Sequence, residues 1–149
     1  FDTYPKRRGI TRVKELLAAG VNVCLGHDSI LDPWYPLGRG DMLAAARLAV
    51  HVCHMTGYEE MKKMYDTITG NAAKAFGIAD DYGLETGKRA DFVVLDTPSV
   101  IEAIRLSPAC RYVVKEGRVV ARTEPAVSRL YRKGKIEPVQ FRRILDDPS

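Results

Sequence analysis

The run Val21-Asn22-Val23-Cys24-Leu25-Gly26-His27-Asp28-Ser29 decides how the rest of the chain is read. Its first six residues are short and mostly apolar, suited to a strand buried on both faces of a parallel sheet. Ahead of it, Ile10, Val13, Leu16 and Leu17 keep helical spacing, and Gly20 stands where a helix C-terminal glycine belongs. Helix, tight turn and buried strand in succession predict an α/β unit with parallel strands. Asp28 then falls just past the carboxyl end of the strand, where barrels of parallel strands carry their catalytic groups. A carboxylate there can ligate a divalent metal, or take a proton from metal-bound water. By spacing alone, Asp28 reads as a loop or helix cap before it reads as a catalyst.

Downstream, Asp32-Pro33, Pro36, Gly38 and Gly40 mark residues 27–40 as a loop. A helix is predicted from about Asp41 to Met55, stopping before Gly57. On its wheel Arg47, His51 and His54 share one narrow stripe while nearly everything else is apolar, so the helix should be buried on most sides. The two histidines with Cys53 invite a metal reading, but Cys53 points elsewhere on the wheel. A polar stripe or an interface fits better. Two shorter helices are predicted over Tyr58 to Ile68 and Thr69 to Phe76, with Thr69 capping the second and Gly77 ending it.

Past Gly77 the pattern changes to turns at Asp80-Asp81-Tyr82-Gly83 and Thr86-Gly87-Lys88, then a strand from Ala90 to Leu95. Gly83 to Gly87 is a turn needing glycine backbone freedom rather than a phosphate loop. Ser99 to Leu106 reads as a short helix, and Arg111 to Lys115 with Arg118 to Arg122 as a hairpin around Glu116-Gly117. From Thr123 onward the chain reads as a polar tail with little periodicity. The predicted organisation is therefore an α/β part over residues 1–78, strands of a small domain over 79–125, and a tail over 126–149. One predicted parallel strand cannot make a sheet alone, so the α/β part reads as a segment of something larger. Phe1 in place of a methionine predicts the same.

Of the 149 residues, 46% are hydrophobic and 28% charged, an ordinary globular balance. No apolar run approaches membrane-spanning length. Cys24, Cys53 and Cys110 are odd in number and far apart, which predicts buried thiols in a reducing, cytoplasmic compartment. The formal net charge of +4 raises the question of nucleic acid. Yet no aromatic stacking pattern is interleaved with Lys6-Arg7-Arg8 or with Arg129, Arg132, Lys133, Lys135, Arg142 and Arg143. A solvated face or a subunit contact is the expectation, with no nucleic-acid or membrane partner.

The stretch Gly26-His27-Asp28-Ser29-Ile30-Leu31-Asp32-Pro33-Trp34-Tyr35-Pro36-Leu37-Gly38 resembles the segment after the eighth barrel strand of bacterial cytosine deaminases, members of the amidohydrolase superfamily. Phe1-Asp2-Thr3-Tyr4-Pro5-Lys6-Arg7-Arg8-Gly9-Ile10 is similar to their loop and helix after strand seven. His51-Val52-Cys53 with Met55 and Gly57-Tyr58 fits as well. Thr69-Gly70-Asn71-Ala72-Ala73-Lys74 and the run from Gly83 to Leu95, which contains Gly87-Lys88-Arg89-Ala90-Asp91, resemble amidohydrolases generally. The likeness weakens after Thr123 and covers about the last third of a typical member. The Asp32 to Pro36 run is its specific part.

The resemblance implies the C-terminal part of a (β/α)8 TIM-type barrel, plus strands of a small β-sandwich domain built from both chain ends. It implies a cytosine deaminase-like enzyme that hydrolyses an exocyclic C–N bond of a nitrogen heterocycle, using one divalent metal ion, Fe2+ or Zn2+. Asp28 matches the aspartate that binds the metal and relays protons. Trp34 matches an aromatic residue lining the substrate pocket, although it could equally anchor a Pro-rich loop. Ser29 stands where some cytosine deaminases carry a second acidic residue near the ring, which bears on ring-substituent preference. The family's metal-binding histidines belong to earlier strands, so His27 is not expected to be a ligand. The implied partners are a small heterocyclic substrate, the rest of the barrel and further copies in a homo-oligomer.

Two rivals stand beside this expectation. Trp34 and Gly38-Arg39-Gly40-Asp41-Met42 also resemble amidohydrolases that remove an alkylamine from an s-triazine, such as N-isopropylammelide. A rival of another class is a non-catalytic fragment whose β-rich half is an interaction module. The zinc deaminases that use a Cys-x-x-Cys pair are excluded, since the chain has no such pair.

Overall fold

The computed structural model describes residues 9–33, 36–124 and 126–139. Among these residues five short helices and five strands follow in the order α1 (Val13–Ala18), α2 (Met42–Val52), α3 (Tyr58–Asp66), α4 (Gly70–Ala75), β1 (Phe92–Leu95), α5 (Val100–Leu106), β2 (Cys110–Lys115), β3 (Arg118–Arg122), β4 (Arg129–Arg132) and β5 (Lys135–Pro138). Among the described residues no helix is long and apolar enough to cross a membrane.

The helices gather around one apolar core. Val13 of α1, Ala46, Ala49 and Val50 of α2, Met55, Met64 of α3 and Ile104 of α5 form it, and Val23 and Leu25 pack against it. Each main helix starts on an identifiable cap. Asp41 accepts hydrogen bonds from the Leu43 and Ala44 N–H groups at 2.9 and 3.3 Å, which satisfies donors the helix cannot use itself. At α3, Glu60 reaches back to the Gly57 N–H at 3.1 Å and also pairs with Lys14, fastening α1 to α3. Ser99 caps α5 through the Glu102 N–H. The buried Glu102 carboxylate is held by Arg105, the chelation a desolvated charge requires.

β1, β2 and β3 form an antiparallel sheet in the order β1-β2-β3, with Phe92 opposite Val114 and Tyr112 opposite Arg122. The β2–β3 turn places Glu116 and Gly117 both at positive φ, 50° and 74°. That is the backbone of a type I′ hairpin turn, which glycine adopts without steric cost. The Asp91 carboxylate clasps this turn, accepting from Glu116 N–H at 2.7 Å and from the Lys115 ammonium at 2.5 Å. One turn earlier, Lys88 donates to the Tyr82 carbonyl at 2.8 Å. The Gly87-Lys88-Arg89-Ala90-Asp91 motif is thus a structural clamp on the sheet.

Several expectations need correction. Every paired strand among the described residues is antiparallel, and the parallel neighbours that residues 21–26 would need in an α/β unit are not among them. Residues 21–26 join no ladder. They are not buried on both faces: Val23 and Leu25 pack inward, while Asn22, Cys24 and Gly26 are exposed. A parallel strand needs neighbours, and no described segment lies alongside to supply them. Cys24 is accordingly exposed rather than buried, and all three thiols are free. Helix α2 buries only one face, leaving Leu48 59% exposed, although Arg47, His51 and His54 do share the exposed side. Thr69 does not cap α4; its hydroxyl donates instead to the Tyr65 carbonyl at 3.0 Å. Finally, the expected irregular tail contains a second hairpin, β4 paired with β5, turning at Lys133-Gly134.

Candidate functional site

The site is built where the unpaired run 21–26 ends. This run is pinned to the helical layer at two levels. The Leu25 N–H donates to the Thr67 carbonyl at 3.0 Å, at the end of α3. The Asn71 side-chain amide donates to the Val23 carbonyl at 3.0 Å, and the Asn22 amide returns a 3.0 Å bond to the Asn71 carbonyl. Asn71 therefore substitutes, with one side chain, for part of the ladder a neighbouring strand would provide.

Beyond Leu25 the backbone turns sharply. Asp28 sits in the left-handed region at φ 64°, and Leu31 follows at φ 50°. Aspartate tolerates this region better than most residues, but a non-glycine residue held there still stores of order 1 kcal/mol or more. The loop then folds back, bringing the buried Gly38 against the backbone of Ser29. A Cβ at position 38 would lie 2.1 Å from the Ser29 carbonyl oxygen, so only glycine fits. Ser29 is half-buried by this closure, and Asp28 remains exposed beside it.

Among the described residues the Asp28 carboxylate makes no hydrogen bond and no ion pair, and it caps no helix. The capping of α2 belongs to Asp41. Next to Asp28, His27 Nδ1 is buried and has no hydrogen-bond partner among the described residues. Leaving such an atom unpaired costs about 1–3 kcal/mol. The described residues therefore hold an incomplete site.

Among the described residues no three of His, Cys, Asp and Glu come close enough together to hold a metal ion. Asp28 offers one carboxylate where a catalytic metal site uses about three protein ligands. The described residues alone do not fit the metal. Nor do His51, His54 and Cys53 form a second centre: the histidines are exposed, and Cys53 packs against the core, where burial pushes its thiol up. Trp34 lies outside the described residues.

A cavity of about 500 Å³ opens elsewhere, between the start of α2 and the sheet, lined among others by Asp41, Leu43, Tyr65, Tyr82, Phe92 and Lys115. Neither Asp28 nor Ser29 borders it, so it is not the site the sequence points to. Sequence reasoning quoted Asn71 within its motif but missed its role as the peg for residues 21–26. A buried-strand asparagine partner leaves no periodic signal.

Comparisons with known proteins agree with this geometry. The model of the amidohydrolase family matches residues 1–121. The crystal structure of 5-methylcytosine deaminase from Klebsiella pneumoniae, liganded with phosphonocytosine, is 42% identical with a TM-score of 0.78, covering 86% of this chain and 31% of that one. That of N-isopropylammelide isopropylaminohydrolase from Burkholderia multivorans is 36% identical with a TM-score of 0.71, covering 76% of this chain and 29% of that one. N-isopropylammelide isopropyl amidohydrolase of Pseudomonas sp. (strain ADP) is 34% identical over 116 residues, which is 78% of this chain and 29% of that protein. The chain thus spans about three-tenths of the length of these relatives. Family model and solved structures lead to one statement: this chain belongs to the amidohydrolase family.

Proposed function

We propose that the complete enzyme carrying this chain deaminates cytosine or a 5-substituted cytosine, replacing the exocyclic amine by the oxygen of water and releasing ammonia. Residues 21–26 are the eighth strand of its barrel, and Asp28 stands at the carboxyl end of that strand. The observation that carries this reading is the state of Asp28. Its carboxylate is exposed and unpartnered among the described residues, on a strained backbone braced by Gly38 and Asn71. A purely structural aspartate would show a bond that offsets its strain.

In this reading Asp28 accepts a proton from the attacking water and returns one to the departing amine, as general base and then general acid. Asp28 would supply one ligand to a divalent ion, Fe2+ or Zn2+, with the other donors coming from outside the described residues. Ser29 lies beside the ring, and Trp34, outside the described residues, is assigned to substrate binding by its resemblance to the family's pocket aromatic. The 42% identity to a protein described as a 5-methylcytosine deaminase supports a pyrimidine substrate, and a small uncharged Ser29 would leave room beside the ring for a 5-substituent. Removal of an alkylamine from an s-triazine is the second reading, supported by the 34% and 36% identical relatives. The free thiols fit a cytoplasmic enzyme.

The experiment is a competition of substrates. Cytosine, 5-methylcytosine and N-isopropylammelide are given to the complete, metal-loaded enzyme, and kcat/KM is measured for each. The proposal expects one of the two pyrimidines to lead. Exclusive turnover of the triazine would replace it by the second reading, and no turnover of any by a non-catalytic role. Within the pyrimidine reading, Trp34→Ala should raise KM, and Ser29→Asp should shift the ratio of rates on cytosine and 5-methylcytosine.

A further inference from the structure

The last backbone hydrogen bond that ties the run 21–26 to the helical layer is that of the Leu25 N–H to the Thr67 carbonyl. Residues 26–28 make no backbone hydrogen bond among the described residues. The next fixed point is Ser29, against which Gly38 closes. Between these points Asp28 keeps a φ of 64°. Strained backbone of this kind persists only where its surroundings over-determine it. The span 26–28 therefore needs a restraint of its own.

His27 is placed to supply it. Exposure alternates along the run: Val23, Leu25 and His27 are half-buried, whereas Asn22, Cys24, Gly26 and Asp28 are exposed. An extended chain sends successive side chains to opposite faces, and Val23 and Leu25 pack against the helical core. His27 thus belongs to the inward set, not to the set that ends on Asp28. Its Nδ1 is buried without a hydrogen-bond partner, and no other buried side-chain nitrogen or oxygen among the described residues lacks one. An imidazole nitrogen is a donor or an acceptor in every tautomer, and native proteins pair the large majority of such buried atoms. This atom is no open surface waiting for cover, because it is already enclosed.

We propose that His27 is a positioning residue for the reaction. In the complete enzyme its Nδ1 makes a hydrogen bond on the helix-facing side, which holds the backbone of Asp28 in its left-handed conformation and so aims the carboxylate. The imidazole itself touches neither substrate nor metal and moves no proton. This inference rests on the assignment of Asp28 to catalysis made above.

The test compares variants of the complete, metal-loaded enzyme on its best substrate. His27→Phe keeps a planar ring and removes both nitrogens, while His27→Asn puts an amide atom where Nδ1 lies. Misplacing a catalytic group by about 1 Å can cost on the order of 100-fold, so His27→Phe should lower kcat by about 10- to 100-fold. Its KM, metal content and melt should stay near wild type. His27→Asn should recover most of kcat. In an Asp28→Asn background His27→Phe should cost nothing further, because a residue that acts through Asp28 then has nothing left to position. Near-wild-type turnover by His27→Phe, or equal losses in His27→Phe and His27→Asn, would overturn the proposal. So would a loss carried by KM, or one that adds in full to that of Asp28→Asn. Near-wild-type turnover by Asp28→Asn would instead remove the reading on which it rests. A crystal structure of the complete enzyme gives a readout that does not depend on any variant folding. Nδ1 is expected within hydrogen-bond distance of a nitrogen or oxygen, and an Nδ1 surrounded by carbon alone would contradict the proposal.

Discussion

The Asn71 side-chain amide donates a 3.0 Å hydrogen bond to the Val23 carbonyl, 48 residues away in sequence. This bond sets the height of the run whose end carries Asp28. It joins the Thr69-Gly70-Asn71 motif to the site without Asn71 itself approaching any reacting atom.

Asn71→Leu keeps the volume of the side chain and removes the donor. The Val23 carbonyl then loses its partner, and the expected destabilisation is about 1–3 kcal/mol. Activity should fall further than stability explains, because residues 21–26 lose one of their three hydrogen bonds to Thr67 and Asn71. Thermal melts and kcat on the complete enzyme check this; an unchanged kcat with an unchanged melt would release Asn71 from the role.

Gly38→Ala should disturb the site more than the fold. The added Cβ meets the Ser29 carbonyl oxygen at 2.1 Å, so the loop has to move away from Asp28. The expected result is a melt close to wild type with a marked loss of kcat/KM. A normal rate would show that the loop is not held as described.

Asp91 gives a pH signature. The Lys115 ammonium, and then the Glu116 N–H, hold its carboxyl below the usual carboxylate range. A depressed folded-state value means that its stabilisation is present above the unfolded value, about 3.9, and is lost as pH falls through the lower folded value. Asp91→Asn should therefore melt earlier than wild type at neutral pH, and the gap should close on acidification below about pH 4. A gap independent of pH would remove the charge from the explanation.

The 149-residue chain alone should neither turn over cytosine nor bind a divalent ion tightly, since the described residues supply one candidate carboxylate. It should also bind a hydrophobic dye through Leu48, Phe76 and Leu84, which are exposed here. Tight stoichiometric binding of Zn2+ with turnover would contradict this.

Much of this was legible in the sequence because its signals are local. The periodicity of α2, the Ser99 start of α5 and the Glu116-Gly117 turn each depend on residues within one element, and each is found within a few positions of its expected place. What the described residues do not display, or what the sequence hid, depends on partners elsewhere in space. Residues 21–26 look like a strand buried on both faces because their composition is that of such a strand, yet the strands that would cover Cys24 and Gly26 are not among the described residues. The β4–β5 hairpin was hidden for the opposite reason: Arg129, Arg132 and Lys135 obscure the alternation that Leu130, Tyr131 and Ile136 would show. At the site, Asp28 and Ser29 were readable from their place after an apolar run. Gly38 and Asn71 act through backbone contacts that no pattern in the chain records.

The most direct measurement is kcat for Asp28→Asn in the complete, metal-loaded enzyme on its best substrate. Asparagine keeps the size of the side chain and tolerates the left-handed backbone, so the fold and melt should survive. It lacks the charge and the basicity that move a proton from water to the leaving amine. Proton transfer by a placed group is worth roughly 100- to 10,000-fold, so kcat should fall by at least about 100-fold. Near-wild-type turnover by a folded, metal-loaded Asp28→Asn enzyme would contradict the assignment of Asp28 to catalysis.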